Sequence, residues 1–111
     1  MIRVIRSVST IRPQEASEVA LAIVDHVKSK HSQRDIGLFV DRFCDSGRKV
    51  HWHIDFDDLG HYEKWQKALA GDQAYGALLK KAAAKDLFDE STMTDSVQIE
   101  AGAAIKSIKL H

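Results

Sequence analysis

The sequence has few of the groups that usually announce a chemistry. Of its 111 residues one is a cysteine, Cys44. That excludes an internal disulfide and suits a reducing compartment. No helix N-terminus or fixed base is evident beside Cys44, so it reads as a half-buried strand-end thiol rather than a nucleophile. Net charge is missing too, because 16 basic and 16 acidic residues cancel and are mixed along the chain. Nucleic acid and anionic membrane both demand a basic surface, and neither is expected as a partner. No apolar run approaches a membrane span, and MIRVIRSVST has no signal-peptide h-region. The expectation is a cytoplasmic protein. No G-x-S-x-G, C-x-x-C or Walker pattern occurs, and Gly60 and Gly76 form no phosphate-cradling loop.

What is present is ordinary globular material, 44% hydrophobic and 29% charged. Residues 1–111 have room for one domain with one core, and no repeat or linker divides them. The chain is organised around Lys49 to Leu69, KVHWHIDFDDLGHYEKWQKAL. Val50, Trp52, Ile54 and Phe56 alternate with His51, His53 and Asp55, the period of a half-buried strand. Asp57-Asp58 then offers a helix N-cap, with negative charge at the positive end of the helix dipole. Leu59, Tyr62, Trp65 and Leu69 follow at helical spacing.

Upstream, residues 1–12 alternate as a strand, with Ile2, Val4 and Val8 on one face and Ile5, Ser7, Ser9 and Ile11 on the other. Pro13 suits a first helical turn. Ala16, Val19, Ala20, Ile23 and Val27 then mark an amphipathic helix to about His31, its stripe widened by Leu21 and Val24. Asp35 to Cys44 reads as a second strand, and Asp45-Ser46-Gly47 as the turn of an antiparallel hairpin. Whether Phe39 or Val40 shares a face with His53 turns on the length of that loop.

Downstream, Gly71-Asp72 breaks the second helix and re-caps it. The continuation carries Tyr75, Leu78, Leu79, Ala82 and Ala83 and closes at Leu87-Phe88. Thr94 to Glu100 gives a fourth strand, and the tail 101–111 has the pattern for a fifth through Ile108 and Leu110. The order β-α-β-β-α-β predicts an α+β, ferredoxin-like protomer, an antiparallel sheet with helices on one face. Apolar and aromatic residues on the other face call for cover. A second copy packed sheet to sheet about a twofold axis, a homodimer, supplies it.

With VHWHIDFDDLGHYEKW, GDQAYGALLKKA and LFDEST in place, followed by the last strand, the chain resembles the dimeric α/β-barrel proteins. These are the superfamily of the antibiotic-biosynthesis-type monooxygenases and the NIPSNAP-like proteins. The similarity is greatest to the NIPSNAP-like branch, whose helices often restart on D-P-x-Y-x-x-L. Here the restart is Asp72-Gln73-Ala74-Tyr75-Gly76-Ala77-Leu78, with Gln73 where proline is usual. The resemblance covers nearly the whole chain and implies a dimeric α/β barrel. Haem-degrading members use an asparagine on the first strand, a tryptophan in the second helix and a histidine further along it. Trp65 matches the tryptophan, but the sequence has no asparagine and no histidine between Trp65 and Phe88. Haem degradation is therefore not expected. The quinone-forming monooxygenases work without cofactor, and no cofactor is expected here.

His51-x-His53-x-Asp55 is the sharpest constellation, since alternate strand residues put two imidazoles and a carboxylate on one face. The spacing is compatible with two-histidine-plus-carboxylate metal binding. On a straight strand, however, Asp55 lies about 13 Å from His51, too far to share an ion, so no metal is expected. The plainer alternative is a polar face, solvated or paired with Asp41, Arg42 or Arg6. Tyr62, Trp65 and Tyr75 suit the core or a pocket wall. Trp52 could wall a ligand cavity or plug a dimer interface, and His61 lies within plausible reach of the strand end.

The expectation is a homodimer binding a small, flat, largely apolar molecule in its barrel. Catalysis would be cofactor-independent oxygenation or isomerisation of an aromatic or polyketide-like substrate. His51 or His53 would serve as acid/base and Asp55 as its orienter, with Trp52, Trp65, Tyr62 and His61 lining the pocket. The alternatives are a non-catalytic small-molecule-binding or stress-related interaction domain and, third, a metal-dependent enzyme using the His51/His53 face.

Overall fold

The computed structural model describes residues 1–42 and 48–102. The expectations for Phe43, Cys44, the turn at 45–47 and a fifth strand through Ile108 and Leu110 lie outside those residues. Seven elements follow one another: β1 (Ile2–Thr10), α1 (Pro13–Lys30), β2 (Asp35–Val40), β3 (Arg48–Phe56), α2 (Leu59–Ala70), α3 (Gln73–Ala84) and β4 (Asp89–Ile99). The strands form one antiparallel sheet in the order β2-β3-β1-β4, the ferredoxin-like arrangement. Among the described residues no helix is long and apolar enough to cross a membrane.

Alternation sorts the strands into two faces. Ile2, Val4 and Val8 of β1, Ile36 of β2 and Val50, Trp52, Ile54 and Phe56 of β3 are buried. They meet the apolar stripe of α1, formed by Ala16, Val19, Ala20, Ile23, Val24 and Val27. Each valine or isoleucine among them contributes about 1.5–3 kcal/mol when fully buried. The opposite face carries Arg3, Ile5 and Ser7 beside His51, His53 and Asp55. Gly37 pairs with His53 and Phe39 with His51, so Phe39 joins the histidines while Val40 pairs with Val50. Polar groups hold most of this helix-free face, which is wetter than the alternation pattern predicts.

The helix boundaries follow local chemistry. Asp58, in extended backbone, caps α2 by accepting the His61 N–H at 2.8 Å. Asp72 repeats the device for α3 at the Tyr75 N–H, 3.0 Å away. At the end of α3 the Leu87 N–H reaches Ala82 O and the Asp86 N–H reaches Ala83 O. This is a Schellman close with Asp86 in the left-handed region, φ 51°. It drives Leu87 into the core, where it is almost wholly buried.

β4 then begins at Asp89, five residues before the Thr94 that alternation indicates. Asp89 to Thr92 is polar and carries no period of two. Its pairing with β1 comes through a register shift between Ser7 and Ser9, where the Ser9 N–H bonds Thr92 Oγ1 at 2.9 Å. β2 runs from Asp35 to Val40. Asp41 already belongs to the turn, its carboxylate accepting the Lys49 N–H.

Candidate functional site

α2 and α3 do not close tightly onto the sheet, and the space left is a cavity of about 650 Å³. Its floor is β1 and β3, through Val4, Val8, Trp52 and Ile54. Its roof is α2 and α3, through Tyr62, Trp65, Leu69, Tyr75 and Leu79, with Phe88 and Met93 at one side. The aromatic walls come from one local sequence. Phe56 ends β3 at the bottom of a ring cluster, 5.1 Å from both Tyr62 and Trp65. Trp52 stands edge to face with Phe88 at 5.7 Å. The chain has two tryptophans, and both wall this cavity.

Few polar groups enter it. Trp52 is 9% exposed, and its indole N–H is buried with no partner among the described residues. Trp65 Nε1 is spent on Gln33 Oε1 at 3.0 Å, and Tyr62 Oη accepts from Gln66. Arg6 reaches the rim and forks onto Asp95 at 2.8 and 2.9 Å. The pair raises the Arg6 pKa and holds the Asp95 carboxyl below the usual range, chiefly through those hydrogen bonds. Burial pushes the Tyr75 phenol up, opposed by the positive charge of Arg6. The cavity is therefore largely apolar, with the Trp52 indole N–H as its buried unpartnered donor and Arg6, Gln66, Tyr75 and Glu90 as its other polar lining.

Of the sequence-predicted pocket residues, Trp52, Tyr62 and Trp65 line this space, and His61 does not. His61 is used at the start of α2. Its Nδ1 accepts the Asp57 N–H, its Nε2 donates to Ser32 O at 2.7 Å, and its ring meets Phe56 edge to face. The reason is position: His61 lies in the first turn of α2, where its ring sits between the end of β3 and the entry to β2.

His51, His53 and Asp55 share a face, as strand alternation requires, but that face points away from the cavity. Asp55 takes both donors of Arg3 at 2.7 and 3.0 Å, which lowers its pKa. His53 lies over Gly37 and stacks on Phe39 at 5.0 Å. A Cβ at residue 37 would sit 2.5 Å from His53 Nε2, so the ring occupies the space that glycine leaves. His51 is bonded on both nitrogens, Nδ1 to Ser7 Oγ at 2.6 Å and Nε2 to Asp41 Oδ1 at 2.9 Å. The hydrogen bond from His51 is the main reason the Asp41 carboxyl is lowered.

Ser7, His51 and Asp41 make the atom sequence of a nucleophile relay. Ser7 lies in the middle of the sheet, paired with His51 of β3 on one side and Thr94 of β4 on the other. Asp41 is a partner the sequence itself suggests for this face, whereas Ser7 and Arg3 carry no signal beyond their place on β1. Arg6, one of three partners the sequence allows for a polar histidine face, lies on the cavity side instead. It pairs across the sheet with Trp52, and even-numbered residues of β1 face the helices.

No protein-family model and no curated protein matches the sequence. Solved structures do match in fold. A crystallised protein of Agrobacterium tumefaciens superposes with a TM-score of 0.68 at 17% identity, over 91% of this chain and 94% of its own. An uncharacterised NIPSNAP domain protein of Burkholderia xenovorans gives 0.67 at 17% identity, over 91% and 95%. A NIPSNAP family protein of Agrobacterium tumefaciens gives 0.64 at 18% identity, over 88% and 90%. The chain has the ferredoxin-like α+β fold of these NIPSNAP proteins along nearly its whole length.

Proposed function

We propose that the chain binds a small, flat, largely apolar molecule in the cavity between the sheet and α2–α3. The observation that carries this reading is the unpartnered indole N–H of Trp52 on an aromatic wall. A buried donor without an acceptor costs about 1–3 kcal/mol, which a ligand oxygen would offset. Arg6 is engaged by Asp95 and the lining also carries Glu90, which favours a carbonyl or phenol oxygen over a free anion. Trp52 and Trp65 set the width of the site, and Tyr62 closes its wall. Pockets of this size and apolar character usually belong to drug-sized ligands.

The finer reading is cofactor-independent oxygenation or isomerisation of an aromatic, polyketide-like substrate. Its support is the resemblance to the antibiotic-biosynthesis-type monooxygenases together with this aromatic cavity. In that reading the Tyr75 phenol, kept protonated by burial, donates a hydrogen bond to the substrate from the cavity side. His51, His53 and Asp55 hold the opposite face. That placement supports the non-catalytic alternative, in which His51 is satisfied by Ser7 and Asp41 and His53 stacks on Phe39, its Nδ1 buried without a partner among the described residues. The same face, with Phe39 64% exposed, is where a second copy would pack to form the homodimer.

Tryptophan fluorescence tests the cavity directly, because both reporters line it. A planar quinone such as naphthoquinone should quench saturably, and Ala82→Phe, which fills the cavity from α3, should weaken the effect at least tenfold. Linear, unsaturable quenching, or saturable quenching untouched in a folded Ala82→Phe protein, would refute the site.

A further inference from the structure

Neither the cavity nor the histidine face uses a third group of side chains, where the end of α1 meets the start of α3. His26 lies in α1, His31 follows its last turn, and Asp72 caps α3. Both imidazoles direct Nε2 at one carboxylate oxygen, Asp72 Oδ2, His26 from 2.7 Å and His31 from 2.6 Å. The other oxygen, Oδ1, accepts the Tyr75 N–H, so the carboxylate is fixed from behind. The rings stand edge to face with centroids 6.2 Å apart. The side chains of His26, His31 and Asp72 keep 17%, 9% and 14% of their exposure, sheltered but open to solvent ions.

One carboxylate oxygen rarely needs two imidazoles, and here a ligand atom from each of the three residues falls within 4.8 Å of the others. We propose that His26, His31 and Asp72 form a binding site for a divalent first-row transition ion of the zinc type. Two imidazole nitrogens and one carboxylate oxygen suit such an ion, whereas calcium and magnesium prefer all-oxygen sets. Zinc holds nitrogen and oxygen at about 2.0–2.2 Å, so tetrahedral ligand atoms lie roughly 3.4 Å apart. Each ring therefore retreats from the carboxylate by about 0.7 Å, a small side-chain rotation.

The ion replaces the N–H protons now pointing at Oδ2. Each neutral imidazole then carries its proton on Nδ1 and gives the Nε2 lone pair to the metal. The Tyr75 N–H keeps orienting the carboxylate, the role an outer partner plays at metal sites. Three protein ligands leave a fourth position for water. The bound ion ties the end of α1 to the α2–α3 junction, one residue before the helix that roofs the cavity.

The test uses the full chain with any affinity tag removed and metal stripped by chelator. Titration with Co²⁺ should give one equivalent and a visible tetrahedral d–d band, displaced by Zn²⁺. His26→Ala and His31→Ala should each weaken binding at least tenfold, as should Asp72→Asn, which keeps a capping side chain. His51→Ala should leave binding unchanged. A second readout needs no variant: in the wild-type NMR spectrum, Zn²⁺ should shift the ring signals of His26 and His31 and leave those of His51, His53 and His61 in place. Absence of stoichiometric binding overturns the site, as does binding that moves the other histidines or survives in folded His26→Ala and His31→Ala proteins.

Discussion

Trp52 is the residue on which the cavity reading can be tested most sharply, because truncation and conservative replacement pull in different directions. Trp52→Ala removes a 9%-exposed ring that packs edge to face on Phe88. Truncating a buried tryptophan costs about 3–5 kcal/mol. Part of this ring already borders open volume and has fewer neighbours to lose, which places the cost near the lower end, about 3 kcal/mol. Trp52→Phe keeps an aromatic ring against Phe88, where such a pair is worth about 0.5–1.5 kcal/mol. It loses some apolar area, yet it also deletes the indole N–H that has no partner, worth about 1–3 kcal/mol when stranded. The two terms nearly cancel, and Trp52→Phe should lie within about 1 kcal/mol of wild type. Urea unfolding followed by far-ultraviolet circular dichroism at one fixed protein concentration measures both, provided the slopes match. A Trp52→Ala cost below about 1 kcal/mol would put the ring at a loose rim. A Trp52→Phe cost above about 2 kcal/mol would mean that the N–H is satisfied in the free protein and calls for no ligand oxygen.

Two further outcomes are expected. Sedimentation at micromolar concentration should give twice the 12.4 kDa chain mass, and Phe39→Glu should shift the protein towards monomer; a clean wild-type monomer would remove the sheet-to-sheet dimer. Acid should destabilise the fold, because Asp41, Asp55, Asp72 and Asp95 are all lowered by their hydrogen bonds. A depressed carboxylate contributes stability above its unfolded value of about 3.9 and loses it as pH falls through the folded value. The melting temperature should therefore decline from about pH 5 downwards, with a shallower acid limb in Asp55→Asn, and a flat profile between about pH 5 and 3 would contradict this.

Much of the fold was legible because it rests on local signals. The alternation of β1 and β3, the caps at Asp58 and Asp72 and the break at Gly71 each need only a few neighbouring residues, and the structure has all of them. The early start of β4 was not legible, since Asp89 to Thr92 pairs through a bulge against Ser9, and a bulge erases the period that marks a strand. For the site, alternation correctly grouped His51, His53 and Asp55 on one face. It could not say where the helices leave space, because that depends on how far α2 and α3 stand from the sheet. Arg6 shares the parity of Val4 and Val8, and so belongs with the cavity opposite Trp52 rather than among the partners of the histidines. The His26–His31–Asp72 cluster was invisible for another reason. Its two histidines lie 46 and 41 residues from Asp72, and each member has a sufficient local place within or at the end of a helix.

β1 runs through the middle of the sheet and serves both sides in turn, with Val4, Arg6 and Val8 at the cavity and Arg3 and Ser7 at the polar face. This has a consequence for how the sequence can drift. Substitutions along β1 act on one side at a time, and a lineage could remodel the cavity at residues 4, 6 and 8 while the Arg3–Asp55 and Ser7–His51 pairs stay as they are. A single-residue insertion or deletion within the strand has no such freedom. It would carry the charged partners under the helices and the valines into water together, exchanging the two surfaces in one event. Length variation in this chain should therefore gather in the connections, and the nine residues of β1 should hold their number even where their identities change.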